Sequence, residues 1–156
     1  MIPVRRLNHA VLFVRDLDRA VDFYHQVFGF EVVFSSPGQA AFLRAQDSVN
    51  HHDLGLFATP LKARPPRASP GLYHLAWEVP TIKDLAAARI TLAQHGALEG
   101  ESDHGATKSL YGSDPDGNEF EVMWLVPRED WGEHEHSAVI ERLDLDRELG
   151  RYGGAK

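Results

Sequence analysis

Two stretches of this chain repeat one another's pattern of apolar and polar positions. Residues 7–14 read LNHAVLFV and residues 72–79 read LYHLAWEV, each a Leu-x-His followed by alternating or continuous apolar residues ending in valine. Such runs predict strands. A helical pattern follows each of them. After the first, Asp16 is a candidate N-cap, and Ala20, Val21, Phe23, Tyr24, Val27 and Phe28 form one broad stripe that Gly29 ends. After the second, Thr81 is the candidate N-cap and Gly96 the stop.

Three short strand candidates follow each helix. They are EVVFSS, AAFLRAQ and DLGLFAT in the first half, and lie near ALEGES, TKSLYGS and NEFEVMW in the second. Between the halves, PLKARPPRASPG carries four prolines and reads as an exposed connector, with residues 62–70 as the linker. The pattern predicts an α+β fold organised as βαβββ, linker, βαβββ, with the helices on one side of a mixed sheet. Residues 1–126 then form one domain of two modules, at about 1–61 and 71–126, and residues 127–156 form a tail. The apolar spacing of the tail is irregular; it reads as partly helical, and no chemistry is assigned to it.

The last predicted hairpin, SLYGSDPDGNEFEVMW, puts Phe120, Val122 and Trp124 on one face and Glu119, Glu121 and Met123 on the other. A turn centred on Asp116 would use Pro115 at a turn position and Gly117 where positive φ is cheap. Positions equidistant from Asp116 then face each other, and Tyr111 and Glu121 are both five residues away. Directly opposed residues share a face, with Cβ atoms ~5 Å apart.

Composition narrows the chemistry. A chain of 156 residues, 43% apolar and 25% charged, suits one globular domain with a real core. The absence of cysteine excludes disulfides, thiol nucleophiles, zinc–thiolate sites and iron–sulfur clusters, so any metal must be held by nitrogen and oxygen. A formal charge of −7 supplies no basic footprint and argues against nucleic acid or an anionic membrane as a partner. No stretch reaches the ~20 apolar residues of a membrane span, and the N-terminus lacks a sustained apolar leader. The expectation is a soluble, cytoplasmic protein.

Three ligand-type residues fall at related places. His9 shares a predicted strand face with Val11 and Phe13, and His74 shares one with Ala76 and Glu78. Glu121 lies on the last strand of the second half. Its first-half counterpart falls near Gly55 or Leu56, where nothing can ligate. Taken singly, a strand histidine is more often a hydrogen-bonded structural residue, and a strand glutamate is more often solvated. The coincidence of two histidines at one repeat position with a carboxylate on the returning strand favours a metal site. Two neutral imidazoles and one carboxylate are the facial set for a divalent, often ferrous, ion with open positions.

NHAVLFVRDLDRAVDFYHQVFGFE, YHLAWEV and YGSDPDGNEFEVMW together resemble the vicinal oxygen chelate superfamily of glyoxalases, extradiol dioxygenases, epimerases and antibiotic-resistance proteins. The resemblance covers about the first 126 residues. It implies two βαβββ modules curled into a half-open barrel around a metal held by His9, His74 and Glu121, frequently completed by homodimerisation. HHDLGLF and DHGATKSLYGSDPDGNEFE further resemble extradiol ring-cleaving dioxygenases, which implies that His52, His104 and Tyr111 line a catechol site. On that reading Fe(II) is the expected metal, with Mn(II), Ni(II), Co(II) or Zn(II) also accommodated. The partners are then a catechol-type small molecule and O2. A histidine such as His52 or His104 would act as acid or base, and Tyr111 would hydrogen-bond a substrate oxygen. His51 has an alternative reading as a loop residue, and so do His52 and His104. His25, His95, His134 and His136 are assigned no role.

Two other classes compete. A glyoxalase-like lyase, isomerase or epimerase needs a basic carboxylate beside the metal; the Gly55–Leu56 region offers none, though Glu78 could substitute. A non-enzymatic antibiotic-binding protein would typically lack the ligand set. Many extradiol enzymes also carry a second pair of modules, and this chain has one pair.

Overall fold

A computed structural model describes residues 1–61, 63, 69–137 and 139–154. It divides into two compact units, residues 1–70 and 71–156. The linker expected at 62–70 falls largely outside the described residues.

The first unit runs β1 (Ala10–Val14), α1 (Leu17–Phe28), β2 (Glu31–Ser36), β3 (Ala40–Arg44) and β4 (Leu54–Ala58). Its sheet has the order β1-β4-β3-β2, with β1 and β4 parallel and the other pairs antiparallel. Asp16 caps α1 by accepting from the Arg19 N–H, and Gly29 ends it at φ 66°, where a side chain would be strained. Ala20 and Tyr24 of α1 are buried, as are Leu12, Val14, Ala41, Leu43, Leu54 and Leu56 of the strands. Alternation leaves Val11, Phe13, Phe42, Gly55 and Phe57 on the opposite, open face.

The second unit repeats this plan with β5 (Leu75–Glu78), α2 (Ile82–Gln94), β6 (Leu98–Asp103), β7 (Thr107–Ser113) and β8 (Glu119–Leu125). Its sheet order is β5-β8-β7-β6, again with one parallel pair, β5 and β8. Even the irregularity repeats: the ladder shifts between Val32 and Phe34 in β2 and between Leu98 and Gly100 in β6. Thr81 and Asp84 form a reciprocal capping box at the start of α2. Ile82, Leu85 and Leu92 of this helix are buried, as are Leu110, Phe120, Val122 and Trp124 of the sheet. Beyond β8 come two 3-10 turns, Arg128–Asp130 and Gly132–Glu135, and then α3 (Leu145–Tyr152). The fold class is therefore the expected one, α+β with two βαβββ modules.

One expectation needs correcting. His9 and His74 do not lie within strands; each stands one residue ahead, before Ala10 and Leu75. The reason in the first unit is the partner's length, because β4 begins at Leu54, opposite Ala10. The two histidines nevertheless keep equivalent places. Among the described residues, no helix is long and apolar enough to cross a membrane.

Candidate functional site

In the second unit the hairpin register is the one that turn symmetry predicts. Ser113 pairs with Glu119 and Tyr111 with Glu121, about a turn in which the Gly117 N–H donates to the Asp114 carbonyl at 2.8 Å. Gly117 has φ 77°, the left-handed conformation expected of it. The Asp114 carboxylate, itself buried, accepts from the N–H groups of Asp116 and Asn118 and from the Asn118 side chain. This holds the two strands in register.

The parallel pairing of β5 and β8 sets Ala76 opposite Glu121, which brings His74 into reach. Its Nε2 stands 3.0 Å from Glu121 Oε2, while its Nδ1 is buried with no hydrogen-bond partner among the described residues. The functional nitrogen is thus Nε2, directed at the carboxylate. Two ligands in cis positions at ~2.1 Å from one octahedral ion stand about 3 Å apart, so this pair suits a shared divalent cation.

Tyr111 flanks the pair, its ring centroid 5.8 Å from that of His74. Its hydroxyl lies 2.7 Å from His104 Nε2, and His104 Nδ1 lies 2.8 Å from the Val139 carbonyl. A carbonyl can only accept, so Nδ1 carries the proton and Nε2 is a lone pair that accepts from the phenol. Burial, with the Glu121 charge second, pushes the Tyr111 hydroxyl above its ordinary value, and it remains protonated near neutrality.

The first unit brings His9, His51 and His52 together. The rings of His9 and His52 have centroids 4.5 Å apart, and Phe42 packs edge-on against His52 at 4.8 Å. His52 Nδ1 is 3.1 Å from His51 Nδ1. Burial, then the neighbouring His9 and His51, hold His52 below the usual imidazole range against the opposing pull of Asp53. This favours a neutral ring.

Sequence reasoning missed the groups behind His9. Asp53 accepts from the Asn50 side chain, which also donates to the Asn8 carbonyl. Asn8 in turn donates its amide to Asn50 Oδ1 at 3.1 Å, which turns its own oxygen to His9 Nδ1 at 2.9 Å. His9 therefore donates from Nδ1 and presents Nε2 as a lone pair, the outer-shell pattern of a metal-binding histidine. Adjacency of Asn8 to His9 was the only available signal. Burial alone would raise Asp53, but N–H donation from Ala45 and hydrogen bonds from Ser48 and Asn50 hold it below the carboxylate range, keeping the anchor charged.

In neither unit do three histidine or carboxylate groups among the described residues stand close enough to hold a metal ion unaided. The second unit offers two donors, His74 and Glu121, with Tyr111 and His104 beside them. The first offers His9, with His52 and His51 beside it. His134, left without a role from sequence, packs its ring against Gly105 next to His104.

Comparison with known proteins identifies the family and the fold. The chain is 36% identical over 126 residues to a catechol-2,3-dioxygenase of Bacillus subtilis (strain 168), covering 80% of this chain and 43% of that protein. It is 37% identical over 126 residues to biphenyl-2,3-diol 1,2-dioxygenase 3 of Rhodococcus globerulus, covering 79% of this chain and 65% of that one. This chain thus spans about two fifths to two thirds of the length of these curated relatives. Among solved structures, a glyoxalase/dioxygenase from Nostoc punctiforme superposes with a TM-score of 0.68 at 20% identity, covering 81% of this chain and 97% of the other. A lactoylglutathione lyase from Agrobacterium tumefaciens superposes with a TM-score of 0.61 at 25% identity, covering 79% and 96%. A family model matches residues 6–122, three quarters of the chain, and the chain belongs to the glyoxalase/bleomycin resistance protein/dioxygenase superfamily.

Proposed function

We propose that the chain is a metal-dependent extradiol ring-cleaving dioxygenase that acts on a catechol-type substrate with O2. The observation carrying this reading is the arrangement around Glu121: an imidazole–carboxylate ligand pair with a Tyr111–His104 proton pair beside it. The names of the curated relatives at 36% and 37% identity support it.

The candidate metal ligands are His74 and Glu121 in the second unit and His9 in the first, Fe(II) being the best match to the proposed chemistry. When bound, the ion supplies a site for the two adjacent diol oxygens and a path for electrons from the diol to O2. The protein's own groups manage the protons. Tyr111 donates to His104, and its oxygen can in addition accept a hydrogen bond from a substrate hydroxyl. A proton leaving the diol then has a route through Tyr111 to His104 Nε2. His52, held neutral beside His9, acts as the second acid–base group.

A glyoxalase-like lyase or isomerase is the competing reading, and one residue identity and one distance weigh against it. The first-module counterpart of Glu121 is Gly55, which has no donor. Glu78 is four strand residues beyond His74, about 13 Å along the backbone, too far to share its ion.

Anaerobic loading with Fe(II), followed by oxygen uptake and visible absorbance over a panel of catechols, tests the proposal. The expected result is stoichiometric oxygen consumption with at least one catechol and a new ring-opened chromophore. No uptake with any catechol, alongside turnover of a hemithioacetal, would reject it.

A further inference from the structure

The segment after β8 lies past the residues that the family model matches, and within the second unit it closes on one turn, residues 103–108. Asp103 and Glu141 exchange both backbone hydrogen bonds at 2.9 Å. The Val126 N–H donates to the Ala106 carbonyl at 2.9 Å, and Trp131 Nε1 donates to the Val126 carbonyl at 2.7 Å. Gly105 adopts φ 76°, and a Cβ there would meet His134 Cγ at 2.4 Å, so the imidazole packs on bare backbone. Lys108, only 5% exposed, donates to Asp103 and to the Gly105 carbonyl. From α3, Arg147 reaches Asp103 Oδ2 at 3.2 Å and Glu148 at 2.8 Å. Glu148 is fully buried, 4.0 Å from the Lys108 ammonium.

That much machinery holds a turn carrying one side chain of the proposed site, His104. A neutral imidazole has a single N–H, and either nitrogen can carry it. With the proton on Nε2, His104 would face Tyr111 with a donor and could not accept from it. The Val139 carbonyl removes that choice, because it can only accept and lies 2.8 Å from Nδ1.

We propose that the C-terminal segment is a positioning device for His104. Its Val139 carbonyl, seated by the Asp103–Glu141 bridge and by α3, locks the imidazole in the Nδ1–H form and keeps Nε2 as the acceptor for Tyr111. The catalytic value of this lock rests on the dioxygenase reading; the tautomer itself does not.

Two substitutions at one position separate the bridge from the side chain. Glu141→Pro removes the N–H that donates to Asp103, whereas Glu141→Ala keeps it. Nitrogen-15 spectra of the His104 ring are read in the full chain without added metal, with circular dichroism as the check on folding. Wild type and Glu141→Ala should show one protonated Nδ1 and one bare Nε2; Glu141→Pro should show the two nitrogens averaged between tautomers. If the proline variant does not fold, Arg147→Ala, a change at a half-exposed side chain, loosens α3 and should shift the ring nitrogens in the same direction. With a catechol and Fe(II), kcat of Glu141→Pro should fall about tenfold with KM nearly unchanged, and Glu141→Ala should match wild type. A wild-type ring protonated at Nε2, or ring nitrogens unmoved in the variants that fold, would overturn the proposal. Absence of oxygen uptake by wild type would reject the dioxygenase reading alone, and the nitrogen spectra would still decide the lock.

Discussion

At the place where the second module carries Glu121, the first carries Gly55, and the ladders make the two equivalent. Val11 and Phe42 flank Gly55; Ala76 and Tyr111 flank Glu121. A Cβ on residue 55 would sit 3.3 Å from Val11 Cγ2 and 3.4 Å from the Phe42 ring. The first module has therefore packed apolar groups into the space where the second keeps a carboxylate and a phenol. On the proposed reading, Glu121→Ala should abolish stoichiometric metal binding, measured by metal analysis after desalting, with an unchanged circular dichroism spectrum. Retained stoichiometric metal would remove Glu121 from the ligand set. Tyr111→Phe should keep the metal and lower kcat by about 100-fold, since it removes the hydroxyl that links substrate to His104.

At the scale of elements, polar caps and turns do more than apolar stripes to set where each piece starts. The capping box of α2 satisfies the Asp84 N–H through the Thr81 hydroxyl and the Thr81 N–H through the Asp84 carboxylate. Thr81→Ala should cost about 1 kcal/mol, read as a lower urea midpoint with an unchanged m-value. The Asp114 turn matters more, because its carboxylate is buried and accepts from three N–H groups. Asp114→Ala strands those donors and should cost about 2–3 kcal/mol in the same measurement. On the proposed reading it should also weaken metal retention, because the turn seats β8, which carries Glu121.

For the molecule as a whole, acid stability should depend on the turn that the C-terminal segment holds. Burial alone would raise Asp103, but hydrogen bonds from Lys108 and the Gly105 N–H, with the Lys108 and Arg147 charges, hold it below the ordinary carboxylate range. A carboxylate with a lowered folded value stabilises the protein fully above its unfolded value. That contribution fades as the pH falls through the folded one. Wild type should therefore lose stability steeply below about pH 4, and Asp103→Asn should be less stable at neutral pH but lose less on acidification. Urea midpoints across pH 2–7, taken at about unit steps, measure both slopes. Parallel slopes would show that Asp103 does not carry this dependence.

Much of this was legible in the chain because the determining signals are local. Strand alternation, the Asp16 and Thr81 caps, the Gly29 and Gly96 stops and the symmetry of the turn about Asp116 all act over a few residues. They sufficed to define the two βαβββ modules, the matching of His9 with His74, and the pairing of Tyr111 with Glu121. Other features were decided only by tertiary structure. His9 falls just outside its strand because the partner strand begins opposite Ala10. Asp53 reaches His9 only through Asn50 and Asn8, and Val139 meets His104 from 35 residues away. A backbone carbonyl has no residue signature, and hydrogen-bond direction depends on which group arrives. Sequence alone determined which side chains the modules carry on their faces; the fold decided which nitrogen of His9 and of His104 keeps its proton.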